Sequence, residues 1–168
     1  MSVAHGGSLE YDLVKKRYLK ALSANDKEAC LQALGRTKKS ALAQDLLQLA
    51  TSSDVPIQDS HQASSALAAN NFTRDEVWKF TRDQWARLHE RLGKNNVCMD
   101  RWMKMGLSSY TDSEIAKDIA QFFQDKDTRA FDRTLVVIRD TIRGNAKYKE
   151  RDEGLVLEWL QAHGYASR

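Results

Sequence analysis

The sequence is poor in the residues that make tight turns. Pro56 is the only proline, and the 168 residues include only eight glycines. Folds built from many short strands need frequent turns, which glycine and proline favour, so their scarcity argues against an all-β fold. The long segments between them carry apolar residues at spacings of three and four, which is typical of helices. We therefore predict an all-α fold.

Cysteine is also scarce. Cys30 and Cys98 lie far apart in the sequence, and neither belongs to a Cys-x-x-Cys pair. Two isolated thiols encode neither a disulfide framework nor a thiolate zinc site. We expect both thiols to be reduced and buried, and we predict no cofactor in this chain.

The chain lacks both a dominant charge and a long apolar run. Its 26 basic and 23 acidic residues are interleaved and give a net charge of +3. Proteins that bind phosphate backbones concentrate basic charge on one face or tail, so we predict no nucleic-acid partner. No apolar run approaches the roughly 18–20 residues that span a bilayer, and the start "MSVAHGGS" lacks the basic and apolar parts of a signal peptide. We predict no membrane partner and a cytoplasmic localisation.

Apolar spacing predicts about eight or nine helices joined by short loops. Short loops favour antiparallel neighbours, so we predict stacked antiparallel helical hairpins, a HEAT-like α-solenoid segment that forms a single helical domain over residues 1–168. A globular bundle is the alternative, because the sequence has no clear repeat at the roughly 33–47-residue spacing of familiar helical repeats. Residues 1–7 are expected to be a disordered or tag-like N-terminus.

The middle of the chain predicts a long tryptophan-striped helix. Thr73-Arg-Asp-Glu76 has the pattern of a capping box, and the stripe behind it runs from Trp78 to Leu92 and ends at Gly93. An Ala-rich segment over about residues 59–69 predicts a helix that packs closely on its neighbours. The tryptophans are expected to lie in the core, with their indole N–H groups bonded at its edge. They are Trp78, Trp85, Trp102 and Trp159.

The last third of the chain predicts two helices with a junction between them. Asp127 or Thr128 is expected to cap the first, and the second is expected to run from about Tyr148 to His163. The segment "IRGNAKYKERDE", residues 142–153, mixes charges and amides between two apolar patterns. We interpret it as a solvated helix junction, with a binding groove as the alternative.

The stretch from His89 to Gly93, His-Glu-Arg-Leu-Gly, is similar to the zinc-protease motif His-Glu-x-x-His. That motif needs two histidines four residues apart on one helix face, with the glutamate as base. Gly93 stands at the second position, supplies no ligand and is typical of a helix end. The chain also lacks a nucleophile elbow, a phosphate loop and a dinucleotide fingerprint. We predict no catalytic residue and no metal ligand in this chain.

Five segments follow one another in an order that is characteristic of a known family. They are "GGSLEYDLVKKRYLKA", "EACLQALGRTKKSALAQDLL", "VPIQDSHQASSALAAN", "DEVWKFTRDQWARLHERLG" and "FDRTLVVIRDTIRGNAKYKERDEGLVLEWLQAHGY". Together they resemble the C-terminal helical domain of the zinc aminopeptidases related to puromycin-sensitive aminopeptidase, aminopeptidase N and the endoplasmic-reticulum aminopeptidases, in their yeast and fungal forms. The catalytic motifs of that family, Gly-x-Met-Glu-Asn and His-Glu-x-x-His, are missing from this sequence. The resemblance implies a fragment, about the second half of the C-terminal domain, with zinc expected in the absent catalytic domain.

The resemblance also implies a role and partners. In such enzymes this domain is non-catalytic, encloses the active-site chamber and helps to hold the peptide while its N-terminal residue is removed. The implied partners are the catalytic domain of the same parent chain and peptide substrates. Arginine grips carboxylates bidentately, so Arg101 and Arg143 are our candidates for peptide binding, with Asn145 and Tyr148 near them in sequence. A stack of hairpins cut from its neighbours exposes an apolar solenoid end, so self-association through that end is expected.

Two other functions compete with this hypothesis. The first is an independent helical-repeat scaffold that binds another protein through its concave face. The second is a metal or thiol enzyme that uses dispersed residues, which would require a functional His89 or Cys98.

Overall fold

The computed structural model describes residues 3–165, and within them the fold is all-helical. This range contains nine α-helices, one 3-10 turn at Ile57–Asp59 and no strand. The α-helices are α1 Ser8–Lys20, α2 Ala24–Leu34, α3 Ser40–Ala50, α4 Ser60–Ala68, α5 Arg74–Asp83, α6 Trp85–Leu92, α7 Asn96–Leu107, α8 Ser113–Phe122 and α9 Asp132–Ala162. The predicted fold class is confirmed.

The helices form four successive hairpins. They pair as α1 with α2, α3 with α4, α5 and α6 with α7, and α8 with α9. The second helices of the hairpins, α2, α4, α7 and α9, pack one after another, and α3 packs against α5 in the other row. Each hairpin buries its apolar face on the next one, which is how a solenoid builds a continuous core.

Helix α4 lies in the middle of the stack and packs against α2, α3, α5 and α7. Its small side chains permit close approach. A Cβ atom added to Gly35 would lie 2.4 Å from the Cβ of Ala66, and one added to Gly106 would lie 3.3 Å from the Cβ of Ser64. The predicted close packing of the Ala-rich helix is confirmed.

The core runs along the stack and consists mainly of leucine, methionine and aromatic side chains. Burying one such side chain stabilises a fold by roughly 1.5–3 kcal/mol. The largest side chains that are fully buried are Tyr11, Tyr18, Leu31, Leu34, Leu46, Leu47, Leu67, Leu88, Leu92, Met99, Trp102 and Met103. Cys30 and Cys98 are free thiols and buried, as expected.

The first helices of the hairpins, α1, α3, α5 and α8, form the first row of the stack. At each junction of this row, a carboxylate on the later helix accepts a hydrogen bond from the earlier helix. Asp45 on α3 accepts hydrogen bonds from Tyr11 Oη at 2.8 Å and from Lys15 Nζ at 2.7 Å, both on α1. Because Tyr11 is 1% exposed, its hydroxyl has no access to bulk water and depends on this acceptor.

The next two junctions follow the same scheme. Glu76 on α5 accepts a hydrogen bond from Ser40 Oγ on α3 at 2.6 Å. Asp118 on α8 accepts one from the indole Nε1 of Trp78 on α5 at 2.6 Å. These ties link residues 30 to 40 positions apart in sequence, so a structural repeat exists although the sequence shows none.

The predicted helix over residues 74–92 is instead two helices. Gln84 breaks it with φ −112° and ψ 23°, between α5 and α6. After the break Trp85 packs edge-on against Phe123 and Phe131, with ring centroids 4.9 and 5.9 Å apart. The capping box is also wrong, because Thr73 makes no side-chain cap hydrogen bond and its hydroxyl is buried without a partner.

The predicted junction over residues 142–153 is wrong as well. Helix α9 continues without a break from Asp132 to Ala162, a length of 31 residues. Its first half buries Thr134, Ile138 and Ile142, whereas Trp159 in the second half is 54% exposed rather than in the core.

The expected core position holds for the other three tryptophans. Trp78 and Trp102 are 4% and 0% exposed, and Trp85 is partly buried against the core. The indole Nε1 of Trp102 donates to Thr81 Oγ1 at 3.1 Å, which is the kind of edge partner that we predicted.

The structure describes residues 3–7 of the predicted disordered or tag-like N-terminus. Residues 3–5 form a turn, Val3 is buried, and the amide of Gly7 donates to Glu10 Oε2 at 2.6 Å. Residues 1 and 2 lie outside the described residues, and the disordered or tag-like nature of the N-terminus stays a prediction.

Candidate functional site

Three of the four candidate peptide-binding residues lie on α9. They are Arg143, Asn145 and Tyr148, and the fourth, Arg101, lies on α7. Helices α7 and α9 pack against each other, so all four lie in the row formed by the second helices of the hairpins. The side chains of Arg101 and Arg143 are exposed to solvent.

Asn145 has a structural contact of its own. Its Nδ2 donates to the main-chain carbonyls of Ser108 and Tyr110, both at 3.1 Å. These carbonyls belong to the loop between α7 and α8, where no amide of a helix donates a hydrogen bond to them. Asn145 therefore positions this loop against α9.

Tyr148 marks the point at which α9 leaves the rest of the chain. Its side chain is 64% exposed, and the guanidinium of Arg151 lies 5.0 Å from its ring centroid. Arg151 also makes two hydrogen bonds to Asp152, at 2.6 and 2.7 Å. The hydrogen bonds from Arg151 hold the pKa of the Asp152 carboxyl below its usual value.

Beyond Asn145 the helix exposes an apolar surface, which we call the α9 stripe. It consists of Tyr148, Leu155, Val156 and Trp159, with Leu160 partly buried beside them. Leu155 is 67% exposed, and Val156 and Trp159 are each 54% exposed. These residues line a shallow open groove along the helix. A contiguous apolar strip that is exposed on one helix face is typical of a binding surface.

An aromatic group completes the end of the stripe. The imidazole of His163 stacks on Trp159 at a centroid distance of 4.1 Å, and Tyr165 lies parallel to the same indole at 6.1 Å. The turn that brings these rings together uses Gly164 with φ +76°, a conformation that favours glycine. Sequence reasoning found the apolar periodicity of this segment but assigned it to the core.

The zinc-like stretch has the predicted structure. His89 is exposed in the last turn of α6, and the amide of Gly93 donates to its carbonyl at 2.8 Å, which ends the helix. Within residues 3–165, no group of three or more histidine, cysteine, aspartate or glutamate side chains could hold a metal ion.

The Cys30 thiol lacks the surroundings of a reactive nucleophile. Burial raises the pKa of the Cys30 thiol, which disfavours the thiolate.

Among the helices of residues 3–165, none has the length and apolar character that a membrane span requires.

Comparison with known proteins identifies the family. Residues 1–144 match the model of the ERAP1-like C-terminal domain. The chain belongs to this family. The match ends inside α9, next to Asn145, so the α9 stripe lies beyond it.

Several aminopeptidases resemble this ERAP1-like C-terminal domain. It is 29% identical over 160 residues to aminopeptidase 2, mitochondrial, of Saccharomyces cerevisiae, an alignment that covers 95% of the chain and 17% of the relative. It is 27% identical to alanine/arginine aminopeptidase of the same yeast, with 95% and 19% covered. It is 21% identical to aminopeptidase N of Rattus norvegicus, with 95% and 17% covered. The chain thus spans less than a fifth of the length of these relatives.

Proposed function

We propose that this domain is the non-catalytic C-terminal part of a zinc-dependent aminopeptidase, in which it encloses the active-site chamber and helps to hold the peptide. The observation that carries the proposal is the family match over residues 1–144, together with relatives that are named aminopeptidases and align along almost the whole chain. On this proposal zinc and the hydrolytic residues belong to a catalytic domain of the same parent chain.

The stack of hairpins suits an enclosing role. A polar contact ties each junction of one row, half-buried between α1 and α3 and between α5 and α8 and exposed between α3 and α5, so the domain presents a firm wall rather than a set of loose helices. A firm wall can exclude water from a reaction chamber and position a substrate over a long distance.

Peptide binding is proposed for the exposed arginines. Arg101 and Arg143 each carry a guanidinium in solvent, which suits the C-terminal carboxylate or carbonyl groups of a peptide. Asn145 contributes by positioning the loop between α7 and α8, and Tyr148 offers an exposed ring and hydroxyl.

A chimera tests this proposal. The segment of yeast aminopeptidase 2 that aligns with this chain is replaced by the chain itself, and hydrolysis is measured with an aminoacyl amide and with a longer peptide. We expect activity on both substrates. Arg143→Ala and Arg101→Ala should raise KM for the longer peptide and leave the aminoacyl amide unchanged, because only the longer peptide reaches this domain.

The matched control is Arg133→Ala, an exposed arginine on the first turn of α9. It should change neither substrate. A folded, zinc-loaded chimera without activity on the aminoacyl amide would contradict the enclosing role. The isolated chain should hydrolyse neither substrate, and chelator-sensitive activity that co-purifies with it would also contradict the proposal.

A second candidate function is a protein-interaction scaffold, which the α9 stripe favours.

The cytoplasmic localisation stays a prediction with either function, because one relative is named mitochondrial and another, in Rattus norvegicus, is named an ectoenzyme.

A further inference from the structure

The second half of α9 projects beyond the helices that pack on its first half. Ile142 is the last fully buried residue of the helix, and Asn145 makes its last hydrogen bonds to another segment. From there to Ala162 the helix continues for about 25 Å at 1.5 Å per residue. Between Lys147 and Trp159 every side chain except that of Asp152 is exposed, and the turn that carries His163 and Tyr165 packs on Trp159.

The exposed face continues the face that the first half buries. An α-helix returns to the same side after 18 residues, which make about five turns. Val156 therefore lies in line with Ile138, and Leu160 lies in line with Ile142, both of which are fully buried. The second half thus carries the same kind of packing face, without a helix of the described chain to cover it.

Charge limits which helix could cover this face. Lys147 and Glu158 lie 11 residues apart, or about three turns, so they flank the stripe on the same side. Both side chains are exposed, one near each end of the segment. In a symmetric parallel pair, this flank of one helix lies on the opposite side of the contact from the same flank of the other, so Lys147 and Glu158 form no pair there. In antiparallel orientation, Lys147 of each copy approaches Glu158 of the other.

The antiparallel alignment also matches the apolar residues and the length. It places Tyr148 of one copy beside Trp159 of the other, and aromatic pairs of this kind contribute about 0.5–1.5 kcal/mol beyond their buried area. In the same register, Ala162 at the helix end of one copy reaches Asn145 of the other, where the packed part of the chain begins. In this register the projecting segments of the two copies lie side by side along their length.

We propose that the second half of α9 is a self-association surface, which binds the same segment of a second copy in antiparallel orientation. The inference does not depend on the proposed aminopeptidase role. A pair of short helices buries less surface than a standard protein–protein interface, so the dimer is weak, with a dissociation constant in the micromolar range or above.

The first test measures the mass of the purified 168-residue chain by sedimentation equilibrium over a concentration series. The mass should rise from one chain toward two. Trp159→Glu should keep the chain monomeric, because it removes both Tyr148–Trp159 contacts and places a charge in the apolar surface near each end of the pair. Leu9→Glu, at a 68% exposed leucine on α1, is the matched control and should dimerise as the unmodified chain does.

The second test reverses the two flanking charges. Lys147→Glu and Glu158→Lys should each weaken the dimer about tenfold, because each change creates two repulsive pairs. The double variant K147E/E158K restores both attractive pairs in the antiparallel dimer and should recover the original dissociation constant. In a parallel dimer this flank of one copy does not face that of the other, so neither single change would weaken the dimer, and that result would contradict the antiparallel arrangement.

Three outcomes would overturn the proposal. The first is a strict monomer at millimolar concentration. The second is a dimer that Leu9→Glu abolishes and Trp159→Glu does not, which would place the contact at α1. The third is a monomer whose Trp159→Glu form inactivates the aminopeptidase chimera, which would assign the stripe to a neighbouring part of the parent polypeptide. Circular dichroism of each variant confirms that it is folded.

Discussion

Asn70 and Asn145 make equivalent hydrogen bonds at two junctions of the stack. Nδ2 of Asn70, just after α4, donates to the carbonyls of Gly35 and Thr37 at 3.0 and 2.7 Å. Asn145 does the same with two carbonyls of the loop between α7 and α8. In both cases one amide binds the loop that follows the second helix of the preceding hairpin. The two asparagines are therefore corresponding clamps in a repeat that the sequence does not display.

Replacing either clamp should destabilise the fold. Asn70→Ala and Asn145→Ala each remove two hydrogen bonds to main-chain carbonyls, and a typical bond contributes about 0.5–1.5 kcal/mol. We expect a loss of about 1–3 kcal/mol in the free energy of unfolding, measured by urea denaturation. Asn25→Ala, at an exposed position on α2, is the control and should change it by less than about 0.5 kcal/mol. Equal stability of all three variants would contradict the clamp role.

Asp45 should stabilise the first junction mainly through Tyr11. Asp45→Ala removes the acceptor of the buried tyrosine hydroxyl and should cost about 2 kcal/mol in urea denaturation. Asp45→Asn keeps an acceptor and loses only the half-exposed ion pair with Lys15, so it should cost less than about 1 kcal/mol. Asp12→Ala on α1 serves as the exposed control. Equal losses for the two Asp45 variants would show that the ion pair dominates.

The Ala-rich helix over about residues 59–69 could be predicted from the sequence, and the structure has it as α4, Ser60–Ala68. The continuity of α9 could not be predicted. Its middle has the mixed charges of a loop, yet Lys149 and Glu153 lie four residues apart on the helix, 3.6 Å between Nζ and Oε1. Such pairs, with good helix-forming residues and no proline, support a helix.

The position of Trp159 shows a second limit of sequence reasoning. An apolar stripe predicts that a helix face packs on something, but it does not say whether the partner lies in the same chain. The candidate arginines were found by chemistry alone, since a guanidinium suits a carboxylate wherever it stands. The peptide-binding role of Arg101 and Arg143 stays a prediction.

His61 should make stability depend on pH. Burial, together with the nearby Arg101, holds the pKa of His61 below its usual value of 6.5, although Asp59 and Glu28 oppose this. The imidazole is 9% exposed, and its Nδ1 is buried without a hydrogen-bond partner. The folded chain therefore binds the imidazole proton less readily than the unfolded chain, in which the histidine takes up a proton near pH 6.5. Stability is fully present above that pH and falls as the pH decreases below it.

The measurement compares the free energy of unfolding at pH 7.5 and pH 5.5. The decrease from one titrating histidine cannot exceed about 1.4 kcal/mol per pH unit. His61→Gln should show a smaller decrease, whatever its stability at pH 7.5. Asp127 does not titrate in this window, since hydrogen bonds from Arg129 lower the pKa of its carboxyl to about 2. An identical pH dependence in the variant would refute the role of His61.

Two glycines should respond in opposite directions to the same substitution. Gly35→Ala forces a methyl group against Ala66, where the Cβ atoms would be 2.4 Å apart, so we expect a loss of about 1–3 kcal/mol. Gly144→Ala, inside α9, meets nothing within 4 Å and should gain about 0.5–1 kcal/mol from higher helix propensity. Thermal unfolding of both variants measures the contrast. A loss at both positions would contradict the free surroundings of Gly144.

The unbroken course of α9 also has a mechanical consequence. Trp159 lies about 17 residues, or about 25 Å, beyond Ile142, and no flexible joint interrupts the helix between them. A force applied near Trp159, perpendicular to the helix axis, therefore produces a torque about the packed segment at Ile138 and Ile142. That torque acts on the contact between Asn145 and the loop between α7 and α8. A partner bound near Trp159 therefore also applies a force to the hairpin of α8 and α9.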